Sequence, residues 1–312
     1  MTWVRASVAT SCCLPLEPLS IHMRLAIQHI TRYSYSEPLK RAVQQLFLWP
    51  SNGVTQVIDA WDVSAPAPIQ TTVDGLGNLT GHFTLDSPAC ELTLTAAGAV
   101  ETLGLSEWTE GASQSSFESD SESVQATEPG VHPAFYLRSG KLSGVTPRIT
   151  TWAQGIVQTG TGSVVVCNRA NVLRLATALY NKVAYQQGMT DVKTLAIEAF
   201  DCGAGVCQDQ AHIMLAACRG LGWPARYVSG YLYAPNQPEL ASHAWVDVCM
   251  HVDPTSWEAR WLSVDITQAC LTTDQYVRLA VGTDYSSCAP SKGMRVGGGI
   301  ETMSVDVTIQ QL

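Results

Sequence analysis

Charge is what this chain of 312 residues has little of. Only 14% of its residues are Asp, Glu, Lys or Arg, and the balance is acidic, with a net charge of -9. That balance, with no Lys/Arg cluster to offset it, excludes a broad nucleic-acid footprint. Long apolar runs are missing as well. No window approaches the roughly 18 apolar residues of a membrane span. Near the start, Cys12, Cys13, Pro15 and Pro18 interrupt any continuous signal-peptide core. There is no internal repeat and no paired CxxC spacing of a zinc site. The Gly297–Gly299 run lacks the strand-GxGxxG-helix setting of a phosphate loop and reads as a turn.

What is present is enough apolar material for a real core, 46% of residues, which argues against disorder over most of the chain. The ten cysteines are irregularly spaced, so they read as mostly reduced thiols, and a cytoplasmic location is expected. Residues 1–22 fit poorly with the rest of the chain and are expected to form an extension without regular structure.

From Met23 the pattern is β. In MRLAIQHITRYSYSEP, residues Leu25, Ile27, His29, Thr31, Tyr33 and Tyr35 alternate onto one face. Further strand-like runs continue to about residue 105, and Asp74-Gly75-Leu76-Gly77-Asn78 reads as a tight turn between two of them. The expectation is a β-sandwich-like domain over 23–105. Residues 106–130, rich in Ser, Glu and Asp, read as an acidic linker. A second domain would then occupy 131–312. Within it, NRANVLRLATALYNKVAYQQG predicts an amphipathic helix burying Val172, Leu175, Ala176, Leu179, Tyr180 and Val183.

The most informative stretch is FDCGAGVCQDQAHIMLAACRGLGW, residues 200–223. After a Gly-rich turn, Ala211, Met214, Leu215, Cys218 and Leu221 fall at three- and four-residue steps, a buried helical stripe that stops at Gly220, Gly222 and Pro224. Cys207 therefore sits at a helix N-terminus, where unpaired backbone N–H groups and the helix dipole favour an anionic sulfur. Three strand candidates come after this helix. His243 opens the second, HAWVDVCMH, and Asp265 lies near the end of the third, ARWLSVDIT. A helix bearing Cys packed on an antiparallel sheet bearing His and Asp brings together a nucleophile, a proton carrier and an orienting carboxylate. The bland readings are that Cys202, Cys218, Cys249 and Cys270 are core residues and Asp209 complements the helix dipole. His212, about 500° of helical rotation from Cys207, reads as a packing histidine.

GVCQDQAH, LGWPARYVSGYLY, SHAWVDV and VDIT resemble the core of bacterial transglutaminase-like cysteine proteases, within the papain-like superfamily. MRLAIQHITRYSYSEP, LFLWP and DGLGN resemble the β-domain that accompanies this core, and LAVGTDYSSCAPSKG with the GGG before a final strand resembles its C-terminal end. The resemblance implies an α+β papain-like fold with Cys207 as nucleophile, His243 as general base and acid, and Asp265 as orienting carboxylate. It also implies a peptide or protein substrate and no metal or organic cofactor; with no apolar span in the sequence, no membrane partner is expected. Three features depart from the resemblance. Thr283 replaces the Arg often found in the GRDY-like segment. Gln210 stands where an aromatic residue is usual, and Val252–Trp261 reads as an insertion whose Asp253-Pro254-Thr255 mimics a family motif. Asp253 lies only ten residues after His243, too few for two strands and a turn, which favours Asp265. The expected activity is peptide or amide hydrolysis through a thioester. Transamidation of an amine and non-catalytic peptide binding are the alternatives.

Overall fold

The computed structural model describes residues 22–110, 131–158, 165–237, 241–254 and 258–312. Residues 1–21, nearly all of the expected extension, and 111–130, most of the expected linker, lie outside them. The chain opens with β1 (Met23–Leu46), β2 (Gln56–Ser64), β3 (Gln70–Val73), β4 (Leu79–Leu85), β5 (Ala89–Thr102) and β6 (Glu107–Glu110). A short 3-10 turn (Pro133–Leu137) leads to α1 (Pro147–Val157), α2 (Arg169–Lys182), β7 (Ala184–Tyr185), α3 (Ala196–Cys202), β8 (Ala204–Gly205) and α4 (Cys207–Gly220). Next come β9 (Ala225–Leu232), β10 (Ser242–Val252), β11 (Ala259–Asp265), β12 (Cys270–Leu271) and β13 (Tyr276–Gly282). The chain closes with α5 (Tyr285–Cys288), β14 (Ser291–Gly297) and β15 (Glu301–Gln311). The class is α+β.

β1 organises the first sheet. Its alternating residues Leu25, Ile27, His29, Thr31, Tyr33 and Tyr35 are buried, as the period-two pattern predicts. Around Ser36-Glu37-Pro38 the register shifts against β5, and it shifts again between Leu39 and Arg41 against β14. The buried set then becomes Leu39, Ala42, Gln44 and Leu46, because an extra residue moves the following side chains to the opposite face. The first half of β1 lies between β5 and β15, and the second half lies between β4 and β14. The two halves share one core in which Tyr33, Leu39, Leu46, Phe83, Leu92 and Leu94 pack together.

This pairing corrects the expected domain boundaries. β14 and β15 complete the N-terminal sheet rather than a self-contained unit over 131–312. At the other end, Glu107–Glu110 of the expected linker form β6, which pairs with β11 in the second sheet. The chain thus crosses between the sheets more than once. Local composition carries no sign of this, because strand partners are chosen by long-range packing.

The second sheet has the order β12-β11-β10-β9-β13. α4 packs on β9 and β10, and α1, α2 and α3 pack against its other sides. Every side chain from Asp209 to Arg219 is buried, so α4 is a central helix rather than one with a single apolar stripe. On α2 the predicted buried residues hold except Tyr180, which is 49% exposed. Cys202 is exposed and Cys270 partly so, whereas Cys218 and Cys249 are buried. No helix among the described residues is long and apolar enough to cross a membrane.

Two side-chain amides join the sheets. Gln56 Nε2 donates to the Arg278 carbonyl at 2.9 Å, and its Oε1 accepts the Arg278 N–H at 2.8 Å. Asn78, in the predicted Asp74–Asn78 turn, pairs with Val281 in the same way, at 2.9 and 2.8 Å. Among the described residues β13 pairs with β9 alone, and these amides satisfy its outer edge as a further strand would. Leu25, Ile27 and Val100 pack on Tyr231, Val277 and Leu279 across the same junction.

Candidate active site

The turn before Cys207 is shaped by its glycines. Gly203 ends α3 in the left-handed region, at φ 72°. A Cβ on Gly205 would lie 2.7 Å from the Asp209 carboxylate, so only glycine fits there. Asp209 Oδ2 accepts the Val206 N–H at 2.8 Å and the Thr190 hydroxyl at 2.6 Å. It therefore caps the first turn of α4, consistent with the dipole-complementing role. Burial pushes its carboxyl up, against the pull of these two donors. Cys207, the first residue of α4, is partly exposed.

β10 and β11 supply the other two groups. They pair antiparallel with Val246 opposite Val264. Continuing that register places His243 and Asp265 on the same face, as diagonal neighbours within side-chain reach. His243 Nε2 and Asp265 Oδ2 are 2.8 Å apart, and both side chains are fully buried. The opposite ring nitrogen, Nδ1, is buried without a conventional hydrogen-bond partner. The Cys207 thiol also acts on the ring, adding to the effect of Asp265. Burial alone would lower the His243 pKa. The Asp265 charge and hydrogen bond, with the Cys207 contribution, outweigh it and push the pKa up to about 10.

Asp265 is itself tightly held. Its Oδ2 also accepts the Tyr276 hydroxyl at 2.8 Å, and Oδ1 accepts the Thr267 N–H at 2.8 Å and the Gln268 N–H at 3.3 Å. Trp245 stacks beside His243, with ring centroids 6.4 Å apart, and Tyr276 packs edge-on to Trp245. Leu76 of the N-terminal turn and Tyr185 pack on this cluster. Asp253 sits at the far end of β10, in the hairpin to β11, where its N–H donates to the Glu258 carbonyl. Of the segment read as an insertion, Val252 ends β10 and Ala259–Trp261 open β11, while residues 255–257 lie outside the described residues.

Sequence reasoning did not assign Tyr276, Trp245 or Thr267 to the site. Thr267 stood inside the VDIT run, whereas Tyr276 carried no local signal. Gln210 is 1% exposed and bonds to Val183 and Thr267, replacing aromatic packing with two polar contacts. His212 lies inside the core, where Nε2 accepts the Tyr285 N–H and burial lowers its pKa to about 4. Among the described residues, no three His, Cys, Asp or Glu side chains converge as metal ligands. β7 pairs in parallel with β8, Tyr185 opposite Gly205, so this segment runs beside the approach to Cys207.

Comparison with known proteins places these features. The transglutaminase-like superfamily model matches residues 150–266, a span that includes Cys207, His243 and Asp265. The bacterial transglutaminase-like N-terminal region matches residues 25–101. An uncharacterized protein of Mycobacterium leprae is 28% identical over 303 residues, 93% of this chain and 99% of its own. An uncharacterized protein of Mycobacterium tuberculosis is 30% identical over 309 residues, 94% of this chain and 93% of its own. The crystal structure of a candidate cysteine protease from Cytophaga hutchinsonii has a TM-score of 0.69 at 19% identity, covering 94% of this chain and 92% of that one. At that identity the likeness speaks for the fold. With the fold, both family matches and a full-length relative in agreement, the chain belongs to the bacterial transglutaminase-like family of the transglutaminase-like superfamily.

Proposed function

We propose that the protein is a cysteine peptidase or amidase acting through Cys207, His243 and Asp265. The observation that carries this reading is the buried His243–Asp265 contact of 2.8 Å, with the opposite ring nitrogen left to the Cys207 thiol. A pKa of about 10 keeps His243 protonated through the neutral range, so it serves as counter-ion to a Cys207 thiolate.

Attack of the sulfur on an amide carbonyl forms a C–S bond and a tetrahedral oxyanion. Backbone N–H groups at the start of α4 stabilise that charge, with a donor from the Tyr185–Gln187 segment as a further contributor. His243 gives its proton to the departing amine, the C–N bond breaks, and a thioester remains. The imidazole, now neutral, takes a proton from water, whose oxygen displaces the sulfur and releases the carboxylic acid. Asp265, fixed by Tyr276, Thr267 and Gln268, holds the ring orientation and stabilises the imidazolium.

The test is product analysis on a peptide library, with and without added primary amine, for wild type and Cys207→Ala. Cleaved peptides and a covalent acyl adduct on Cys207, both absent in Cys207→Ala, are expected. Amide products formed only when amine is present would move the assignment to acyl transfer. Binding without turnover in both proteins would make the fold a peptide-recognition module.

A further inference from the structure

We propose that Gln210 and Thr267 form a positioning link that sets the separation between Cys207 and the His243–Asp265 pair. This rests on the reading of Cys207 as nucleophile. Gln210 lies three residues after Cys207 on α4, and its side chain spans to two other elements. Nε2 donates to the Val183 carbonyl at 2.8 Å, and Oε1 accepts the Thr267 hydroxyl at 2.7 Å. The amide orientation follows from chemistry: a carbonyl only accepts, so the NH2 group must face Val183. Thr267 then donates its own backbone N–H to Asp265 Oδ1 at 2.8 Å. A continuous path of directional contacts thus runs from the first turn of α4 through Thr267 and Asp265 to His243. Val183 directly precedes β7, whose partner β8 leads into Cys207. One side chain therefore fixes the nucleophile's helix against both the segment beside it and the turn that holds the carboxylate.

Docking of α4 does not require this link. Ala211, Ile213, Met214, Leu215 and Cys218 are each 0% exposed and fix the helix in the core. Gln210 and Thr267 act only where the helix start meets the end of β11. Apolar packing tolerates small slides, whereas two buried hydrogen bonds made by one amide tolerate few, because breaking either strands a buried polar group. Misplacement of reacting groups by about 1 Å costs on the order of 100-fold in rate.

The rate at which iodoacetamide alkylates Cys207 near pH 6, read by peptide mass spectrometry on folded protein, tests the link without a known substrate. His243→Asn sets the scale: it should slow Cys207 alkylation. Thr267→Val should slow it by roughly 10-fold or more, while Thr267→Ser, which keeps the hydroxyl, returns it to within about threefold of wild type. Gln210→Met, which fills similar volume without polar atoms, should slow it as Thr267→Val does, and the double variant should be no slower than either single one. It also serves where Thr267→Val does not fold. Lower melting temperatures with wild-type alkylation in both single variants would make the link merely structural and overturn the proposal. Unchanged alkylation in His243→Asn would overturn the underlying reading of Cys207 and His243 as well.

Discussion

Two buried polar clusters share one face of the second sheet, and their difference separates a site from a scaffold. Alternate residues of β10 carry them: His243 belongs to one and Asp247 to the other. Asp247 Oδ2 accepts from Arg226 Nε at 3.0 Å and Arg278 Nη1 at 2.5 Å. Its Oδ1 accepts from Arg278 Nη2 at 3.1 Å and Ser263 Oγ at 2.6 Å. Arg226 also lies over the Trp261 ring at 4.2 Å. Burial raises the Asp247 pKa, but the two arginines outweigh it and hold the carboxyl below its usual range. Each carboxylate oxygen thus accepts two hydrogen bonds, and the charged groups of this cluster are closed on one another.

The His243 cluster is equally buried and equally well held on its carboxylate side. The Trp245 and Trp261 indole N–H groups, one beside each cluster, are buried without a partner, but among the titratable groups of the two clusters only His243, at Nδ1, has a buried atom in that position. An open position next to a thiol is a place for a reacting proton, whereas a closed cluster is a strut.

The bluntest way to break the comparison is to remove the N-terminal sheet. Gln56 holds the Arg278 backbone and Asn78 holds Val281, so the first sheet braces the strand that supplies both clusters. A chain starting at residue 131 also leaves β14 and β15 without β1. It should be insoluble or unfolded by circular dichroism, and a soluble, cooperatively melting fragment would mean that the junction is dispensable.

Single substitutions should then separate the clusters. Asp265→Asn should keep the fold and lower turnover by roughly 100- to 10,000-fold, measured on whichever peptide the library identifies. Asp247→Asn should do the reverse. Leaving Arg226 and Arg278 without their buried counter-charge should cost about 3–5 kcal/mol in urea unfolding, with Cys207 alkylation of the folded fraction unchanged. A stable Asp247→Asn protein with lost reactivity would merge the two clusters into one functional unit.

A smaller effect should appear in the pH dependence of stability. The folded pKa of His243 is raised from about 6.5 to about 10, so the protonated ring favours the folded state. Its contribution is complete below about pH 6.5 and is lost as pH rises toward 10. Melting temperatures should therefore fall over that window in wild type and less steeply in His243→Asn. Equal slopes would contradict the raised pKa. Smallest of all, Asp253→Asn, in the hairpin at the far end of β10, should leave turnover within about twofold of wild type.

Much of the molecule was legible in the sequence. The alternation in β1, the turn at Asp74–Asn78, the α4 start at Cys207, and the placement of His243 and Asp265 on adjacent strands all follow from local patterns. What was not legible depends on contacts far apart in the chain. The return of β14 and β15 to β1 is one case, since Ser291–Gln311 reads like any pair of strands. Tyr276 is another, a strand tyrosine that joins the site only because β13 lies beside β9. Gln210 stood out as an oddity, but its role needed Val183 and Thr267 to be seen against it.

The central claim is that His243 is held as an imidazolium between Asp265 and Cys207, and nitrogen-15 NMR of the labelled imidazole tests it most directly. Both His243 nitrogens should remain protonated at pH 8 in wild type, and Asp265→Asn should bring the titration down toward the ordinary histidine range. A wild-type His243 ring that is already neutral at pH 7 would contradict it.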